Sequence, residues 1–237
     1  MSVLRTDEPA EGVLRLRLDR PAKRNAVDRD LAEALVEAFG SSDAKVVILG
    51  SSGTDAFCAG LDLSLEPAER VAVSDLLYET YERMLASPAP IVVSIPGPAI
   101  GGGAQLAIAS DLRVAGPKGQ MRFAGPGHGL AVGAWGLGSL VGRGRAMDLC
   151  LSMRPVSADE AAAMGLVDRV AHDPDAEALE LATRLVRIDG PTVARVKRLV
   201  TSDGLLEALR RERRDNMSTW SGEIPEGSLP APLRDDA

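Results

Sequence analysis

Three consecutive glycines, Gly101, Gly102 and Gly103, stand between a short apolar run and an Ala/Leu/Ile segment. Glycines at a helix start cost conformational entropy, and the cost is justified only where something approaches the backbone closely. Amide N–H groups at a helix N-terminus lack intrahelical partners and carry partial positive charge. They suit an anion, or a carbonyl oxygen that becomes one during reaction. A phosphate-binding loop is excluded, because the Gly-x-x-x-x-Gly-Lys-Ser/Thr spacing is missing and no lysine lies between Lys45 and Lys118. A dinucleotide fingerprint fails at its last position, where Gly101-Gly102-Gly103-Ala-Gln105-Leu106 lacks the third spaced glycine. An oxyanion hole and a glycine-rich helix–strand packing contact both explain the triplet, and both readings stand at this point.

Other reactive groups are sparse. The two histidines are His128, in a glycine-rich stretch, and His172, which reads as a helix-start residue before Asp173-Pro174. His128 has the pKa range for proton transfer near neutral pH; packing of a loop histidine at a subunit contact is the plainer alternative. No Gly-x-Ser-x-Gly occurs, which removes a nucleophile elbow, and no His, Cys or carboxylate cluster has metal-ligand spacing, so no metal is expected. Cys58 and Cys150 are far apart in apolar surroundings and read as reduced, buried thiols of a cytoplasmic protein.

The elements that position these residues follow from patterning. Ile91 to Ile95 is an apolar, β-branched run and predicts a buried strand; Leu112 to Ala115 predicts a second. Leu14, Leu16 and Leu18 alternate with Arg15 and Arg17, predicting a half-exposed strand over 13–18. Asp28 or Asp30 caps a helix with Leu31, Leu35, Ala38 and Phe39 on one face. Strands over 45–50, 120–123 and 166–170, and helices over 67–86 and 143–152, complete the core. Ser157-Ala-Asp-Glu160 has capping-box spacing and starts a helix ending at Gly165. Residues 124–142, dense in glycine, read as a loop packed tightly against something. Helices near 174–187, 191–201 and 204–219 follow, with Arg210, Arg211, Arg213 and Arg214 as a solvated face, and the tail after Trp220 reads as loose. Strands alternating with helices up to about residue 170, then helices alone, make this an α/β chain with a helical appendage.

With 237 residues and 45% hydrophobic composition the chain builds one sizeable core, and with 3% aromatics that core is aliphatic. A net charge of −7 leaves no nucleic-acid footprint. The N-terminal acidic residues Asp7 and Glu8 stand where a signal peptide needs an apolar core. The uncharged stretch from Met84 to Ser110 is long enough to span a bilayer, but Pro88, Pro90, Pro96, Pro98 and the glycine triplet break a spanning helix, so no membrane span is expected.

Five segments, in order, resemble the crotonase family, the enoyl-CoA hydratase/isomerase superfamily: Leu18 to Ala26, Phe57-Cys-Ala-Gly-Leu-Asp-Leu63, Pro90 to Ala115 with its glycine triplet, Leu140 to Met147, and Pro155 to Val170. The resemblance implies an α/β spiral of ββα units over 1–170, a helical trimerisation region over 171–237, and homotrimers or hexamers. It implies an acyl-CoA or enoyl-CoA thioester as ligand, with coenzyme A as part of that ligand and no separate cofactor. By its pattern the thioester oxygen meets the N–H groups of Leu61 and Gly102. Lys23 and Arg24, with Ala26 and Ala59, lie where the coenzyme is held, and Trp135 becomes an apolar wall of the acyl site. The helix over 67–86 lines the acyl pocket in relatives; its Tyr78, Glu79, Tyr81 and Glu82 fall there, with the glutamates expected in solvent.

The chain departs from the family at the two hydratase glutamates. Gln105 stands at one position and Gly127 at the other. An amide does not titrate usefully and glycine has no side chain, so neither can act as general acid or base. The expectation is therefore an acyl-CoA binder of fatty-acid metabolism that keeps the oxyanion hole and lacks two-glutamate hydration. The alternative is an active isomerase, hydrolase or other lyase with an unusual base, His128 or Asp62, although an aspartate in this loop more often caps the next turn. A third reading, an oligomeric scaffold with a disused pocket, leaves the costly glycines without a purpose.

Overall fold

The structure is a computed structural model and describes residues 2–41, 43–201 and 203–225. It opens with an antiparallel hairpin of β1 (Leu4–Ala10) and β2 (Val13–Leu18), with Leu4 opposite Leu18. Alternation predicts β2. β1, with Arg5, Asp7 and Glu8 among its residues, has no such signal; ion pairs of Arg15 and Arg17 with Asp7, and of Arg5 with Asp19, tie this edge strand down.

The central strands are buried on both faces and read as continuous apolar runs for that reason. Helix α1 (Arg29–Gly40), capped by Asp28 accepting Leu31 N–H at 3.1 Å, leads to β3 (Val46–Ser51). The long α2 (Pro67–Ala86) leads to β4 (Ile91–Ile95). Then come β5 (Pro98–Ile100), α3 (Gly102–Ala109), β6 (Leu112–Ala115) and β7 (Gln120–Arg122). A 3-10 turn at Gly125–His128 precedes α4 (Ala134–Val141) and α5 (Arg143–Ser152). Next are β8 (Val156–Ser157), α6 (Ala158–Ala163) and β9 (Arg169–Val170). Helices α7 (Pro174–Leu185), α8 (Gly190–Val200) and α9 (Asp203–Thr219) end the described chain. One sheet runs β1-β2-β3-β4-β6-β9, parallel from β2 onward; a smaller one runs β5-β7-β8.

The two faces of the large sheet bury different partners. Val47, Leu49, Ile91, Val93 and Ile95 face the main core with α1, α2 and α3. Val46, Ile48, Val92 and Val114 face Ala178, Leu181 and Ala182 of α7. The helical end of the chain is thus part of the sheet's packing. Its α8 is anchored by the buried Lys197, whose Nζ donates to the carbonyls of Met84 and Ala89 (3.0 Å each) and pairs with Asp111 at 2.8 Å.

Two expectations are corrected. Residues 124–142 are not one loop, since α4 occupies Ala134–Val141. Its glycines give it low intrinsic helicity, but Trp135, Leu137 and Val141 are buried, and the tertiary contacts decide. The arginines of α9 are not simply a solvated face. Arg210 pairs with Glu82 (2.5 Å) and Arg213 with Asp75 (2.7 Å), docking α9 on α2; the same contacts take Glu82 out of open solvent. The capping box holds, with Ser157 accepting Glu160 N–H at 3.3 Å. Of the tail expected to be loose, residues 226–237 lie outside the described chain.

Candidate active site: two free amides and a displaced carboxylate

The loop before Leu61 is gripped from both sides. Val27 N–H donates to Gly60 O at 2.7 Å and Asp62 N–H to Val27 O at 2.9 Å, while Ile100 N–H donates to Cys58 O at 2.9 Å. In such a parallel bridge, Val27 bonds the residues before and after Leu61, so Leu61's own N–H points away from it. The N–H of Gly102, first residue of α3, has no intrahelical partner either. Among the described residues neither amide has an acceptor. Asn25 holds the loop from beneath: its Nδ2 donates to Ala56 O (3.1 Å) and Phe57 O (3.2 Å), and its Oδ1 accepts Arg20 N–H (2.9 Å).

The glycines permit the close approach. A Cβ on Gly60, whose φ is +86°, would lie 2.6 Å from Ile100 O and 3.2 Å from Gly102 N. A Cβ on Gly103 would lie 2.3 Å from Cys58 O. Gly60 and Gly102 are therefore backbone to backbone, which brings the two free N–H groups to the same place. Both packing and amide presentation account for the triplet: Gly103 serves the first, Gly102 the second.

Gln105, one turn further along α3, is buried, and its Oε1 accepts Trp135 Nε1–H at 2.8 Å and Gly133 N–H at 3.1 Å. Two donors fix the amide orientation. Trp135 is buried, and its ring nitrogen is hydrogen-bonded to Gln105. Gly127 sits in the 3-10 turn, its N–H directed at Met153 Sδ (3.0 Å).

Asp62 is fully engaged. It accepts Ser64 N–H (3.1 Å) and Ser64 Oγ–H (2.6 Å) and pairs with Arg20 at 3.3 Å. Although its partial burial opposes this, the bonds from Ser64 and the Arg20 charge hold its carboxyl below the usual range. It caps the turn and is a poor base. His128 is half-buried, with Nδ1 unpartnered. Burial, followed by the charges of Arg122 and Arg70, lowers its pKa. Lys23 and Arg24 are exposed on the loop before α1, next to Ala26; the carbonyl of Arg24 accepts Ala59 N–H at 3.0 Å. His172 is exposed, and the cap of α7 is Asp173 instead. Cys58 is buried beside the loop and its thiol is pushed up to about 12 by burial.

Sequence reasoning missed Glu212. From α9 its carboxylate enters the core, where Oε1 accepts Tyr78 O–H (2.8 Å) and Gly133 N–H (3.2 Å) and Oε2 accepts Trp135 N–H (2.9 Å). Asn216, one turn on, donates to Tyr78 Oη (2.7 Å) and Ala131 O (2.7 Å). Glu212 thus caps α4 from a distance of 77 residues in sequence and shares the Gly133 amide with Gln105. Burial pushes its carboxyl up to about 7, against the pull of Tyr78 and the α4 amides. The signal was a single glutamate among four arginines, indistinguishable from a surface charge.

Among the described residues no cluster of three His, Cys, Asp or Glu could hold a metal, and no helix is long and apolar enough to cross a membrane. A family model described as enoyl-CoA hydratase/isomerase matches residues 8–219. A probable enoyl-CoA hydratase (echA6) of Mycobacterium tuberculosis is 40% identical over 204 residues, covering 84% of this chain and 82% of that one. A probable mitochondrial enoyl-CoA hydratase 2 of Arabidopsis thaliana is 32% identical over 209 residues, covering 82% and 68%. Among solved structures, an enoyl-CoA hydratase/isomerase from Xanthobacter autotrophicus superposes with a TM-score of 0.84 at 27% identity, covering 94% of this chain and 89% of that one. One from Pseudoalteromonas atlantica gives 0.82 at 26%, covering 95% and 93%.

Proposed function

The chain belongs to the enoyl-CoA hydratase/isomerase family, and from that premise we propose that it binds an acyl-coenzyme A thioester with the N–H groups of Leu61 and Gly102 on the thioester oxygen and does not hydrate enoyl-CoA by the two-glutamate route. The observation that carries the reading is the pair of unpaired amides meeting across Gly60 and Gly102, beside a Gln105 whose amide oxygen is spent on Trp135 and Gly133. A thioester oxygen gains charge when the acyl group enolises, and a preorganised donor at that oxygen contributes about 3 kcal/mol. Lys23 and Arg24 are exposed and without side-chain partners among the described residues, which supports a role in meeting the coenzyme's phosphates. Such a protein carries or presents acyl groups in fatty-acid metabolism, as an assembly of three or six copies.

A second reading keeps chemistry, with His128 as an unusual base. It is favoured by one observation, the unpartnered Nδ1 beside Gly127. Asp62 is the weaker base, because Arg20 and Ser64 hold it ionised.

Calorimetry with saturated and 2-enoyl-CoAs of several lengths, with thioester and double-bond absorbance followed over time, tests both. Binding without turnover supports the carrier. Turnover that His128→Ala abolishes supports the second reading, and absence of binding across the panel refutes both.

A further inference from the structure

Three basic side chains from three elements gather beside Gly127. Arg122 ends β7; its carbonyl accepts Gly101 N–H (2.8 Å), placing it against the glycine triplet, and its Nε donates to Met153 O (2.7 Å). Met153 also receives the Gly127 N–H, so Arg122 and the 3-10 turn share one support. Arg70 of α2 donates through Nη1 to Gly222 O and through Nη2 to Leu63 O, 2.9 Å each, two residues beyond Leu61. The charges of both arginines reach His128. A Cβ on its neighbour Gly129 would be 3.7 Å from the Trp220 ring, and Gly222, just past Trp220, is pressed on Pro67 at the start of α2.

Among the described residues the two arginines have no counter-ion, and burial with their charges favours the neutral form of His128. Among the described residues no carboxylate pairs with Arg70, Arg122 or His128, in a chain of net charge −7. Two of the nearby acids are taken, Asp62 by Arg20 and Glu69 by Arg29, and Glu66 and Glu223 on the same segments pair with neither arginine. Arg70 Nε and His128 Nδ1 are buried without any partner. Burial lowers the pKa of Arg122, and no neighbouring carboxylate offsets that among the described residues. A partly buried, unpaired charge is costly unless something neutralises it. A guanidinium fork is matched to a carboxylate or phosphate.

We propose that Arg122, Arg70 and His128 form a site for a carboxylate carried on the acyl group, so that the ligand is the coenzyme A thioester of a dicarboxylic acid. The inference rests on the thioester reading above and names its substrate class. The geometry favours an acyl carboxylate over a coenzyme phosphate. The cluster adjoins Gly101 and Gly127, where the acyl carbons next to the thioester lie on that reading, whereas Lys23 and Arg24 are exposed on the separate loop before α1.

The test is calorimetry on the full chain with two matched pairs, butyryl-CoA against succinyl-CoA and pentanoyl-CoA against glutaryl-CoA, plus free coenzyme A. The expected result is at least tenfold tighter binding of one dicarboxylic member than of its monocarboxylic match, the scale of a charge-assisted bond. Arg122→Gln is expected to bring that ratio toward one. Equal affinities within both pairs overturn the inference while leaving the thioester reading intact. Loss of affinity in Arg122→Gln that is the same for both members and for free coenzyme A assigns the cluster to a phosphate and also overturns it. No binding of any thioester overturns both. Should Arg122→Gln fail to fold through loss of the Met153 contact, the wild-type ratios decide, with His128→Gln as the second variant.

Discussion

Replacing Glu212 by glutamine should change how stability depends on pH far more than it changes stability at any acidic pH. The wild-type carboxyl is pushed up to about 7 in the folded chain, chiefly by burial, from an ordinary value of 4.5. A raised folded pKa means that the native state holds the proton more tightly than the unfolded state. The stabilisation is full below about 4.5 and is lost as pH rises through about 7. A gap of about 2.5 pH units corresponds to roughly 3 kcal/mol, most of it lost between pH 5 and 7.5. Glutamine reproduces the neutral acid, with one acceptor and one donor group, and does not titrate. Urea unfolding of both proteins at pH 5 and pH 7.5 isolates the residue, because every other titration cancels in the difference. The wild type should lose roughly 2 to 3 kcal/mol relative to Glu212→Gln over that interval. A difference that stays constant with pH would refute the reasoning. It would show that Tyr78 O–H and the Gly133 and Trp135 amides at the α4 N-terminus already hold the carboxylate ionised at pH 5, outweighing its burial.

Three further outcomes follow from the site. Gly102→Pro deletes one free amide at a helix position where proline's backbone is tolerated; thioester affinity or turnover should fall by up to about a hundredfold, and an unchanged, folded variant would remove the oxyanion assignment. Gly103→Ala places a Cβ 2.3 Å from the Cys58 carbonyl, and overpacking against backbone should cost on the order of 2 kcal/mol or more, read as a lowered Tm. The Cys58 thiol, pushed up to about 12 by burial, should resist alkylation at pH 8 until the chain unfolds; rapid modification of native protein would show that the loop before Leu61 opens.

The legible part of the site was the part made of local backbone. Gly60 and the Gly101–Gly103 run announce a close approach through residue type alone, because only glycine leaves room against Ile100 and Cys58, whereas Leu61 was singled out only by the family resemblance. The parallel strands β3, β4 and β6 were legible for a similar reason, since a strand buried on both faces must be apolar throughout. Asp28 and Ser157 were legible as caps because a cap acts within three residues. The resemblance placed Gln105 and Gly127, but not what surrounds them.

What only the tertiary structure decided lies in pairings across long stretches of chain. α4 is helical because its apolar face is buried and because Glu212 supplies its N-terminal acceptor from α9. Local composition, rich in glycine, argues the other way. Glu212 and Asn216 sit among arginines that look like solvent-facing charge, and their burial depends on α9 lying against α2 and α4. Arg70, Arg122 and His128 come from a helix, a strand and a turn, and that the two arginines lack a counter-ion among the described residues is visible only once the fold has brought them together. A sequence determines what each segment can do with its own backbone and neighbours. Which charges end up buried, paired or left unpaired is set by contacts between distant segments, whose desolvation and electrostatic energies have no local trace.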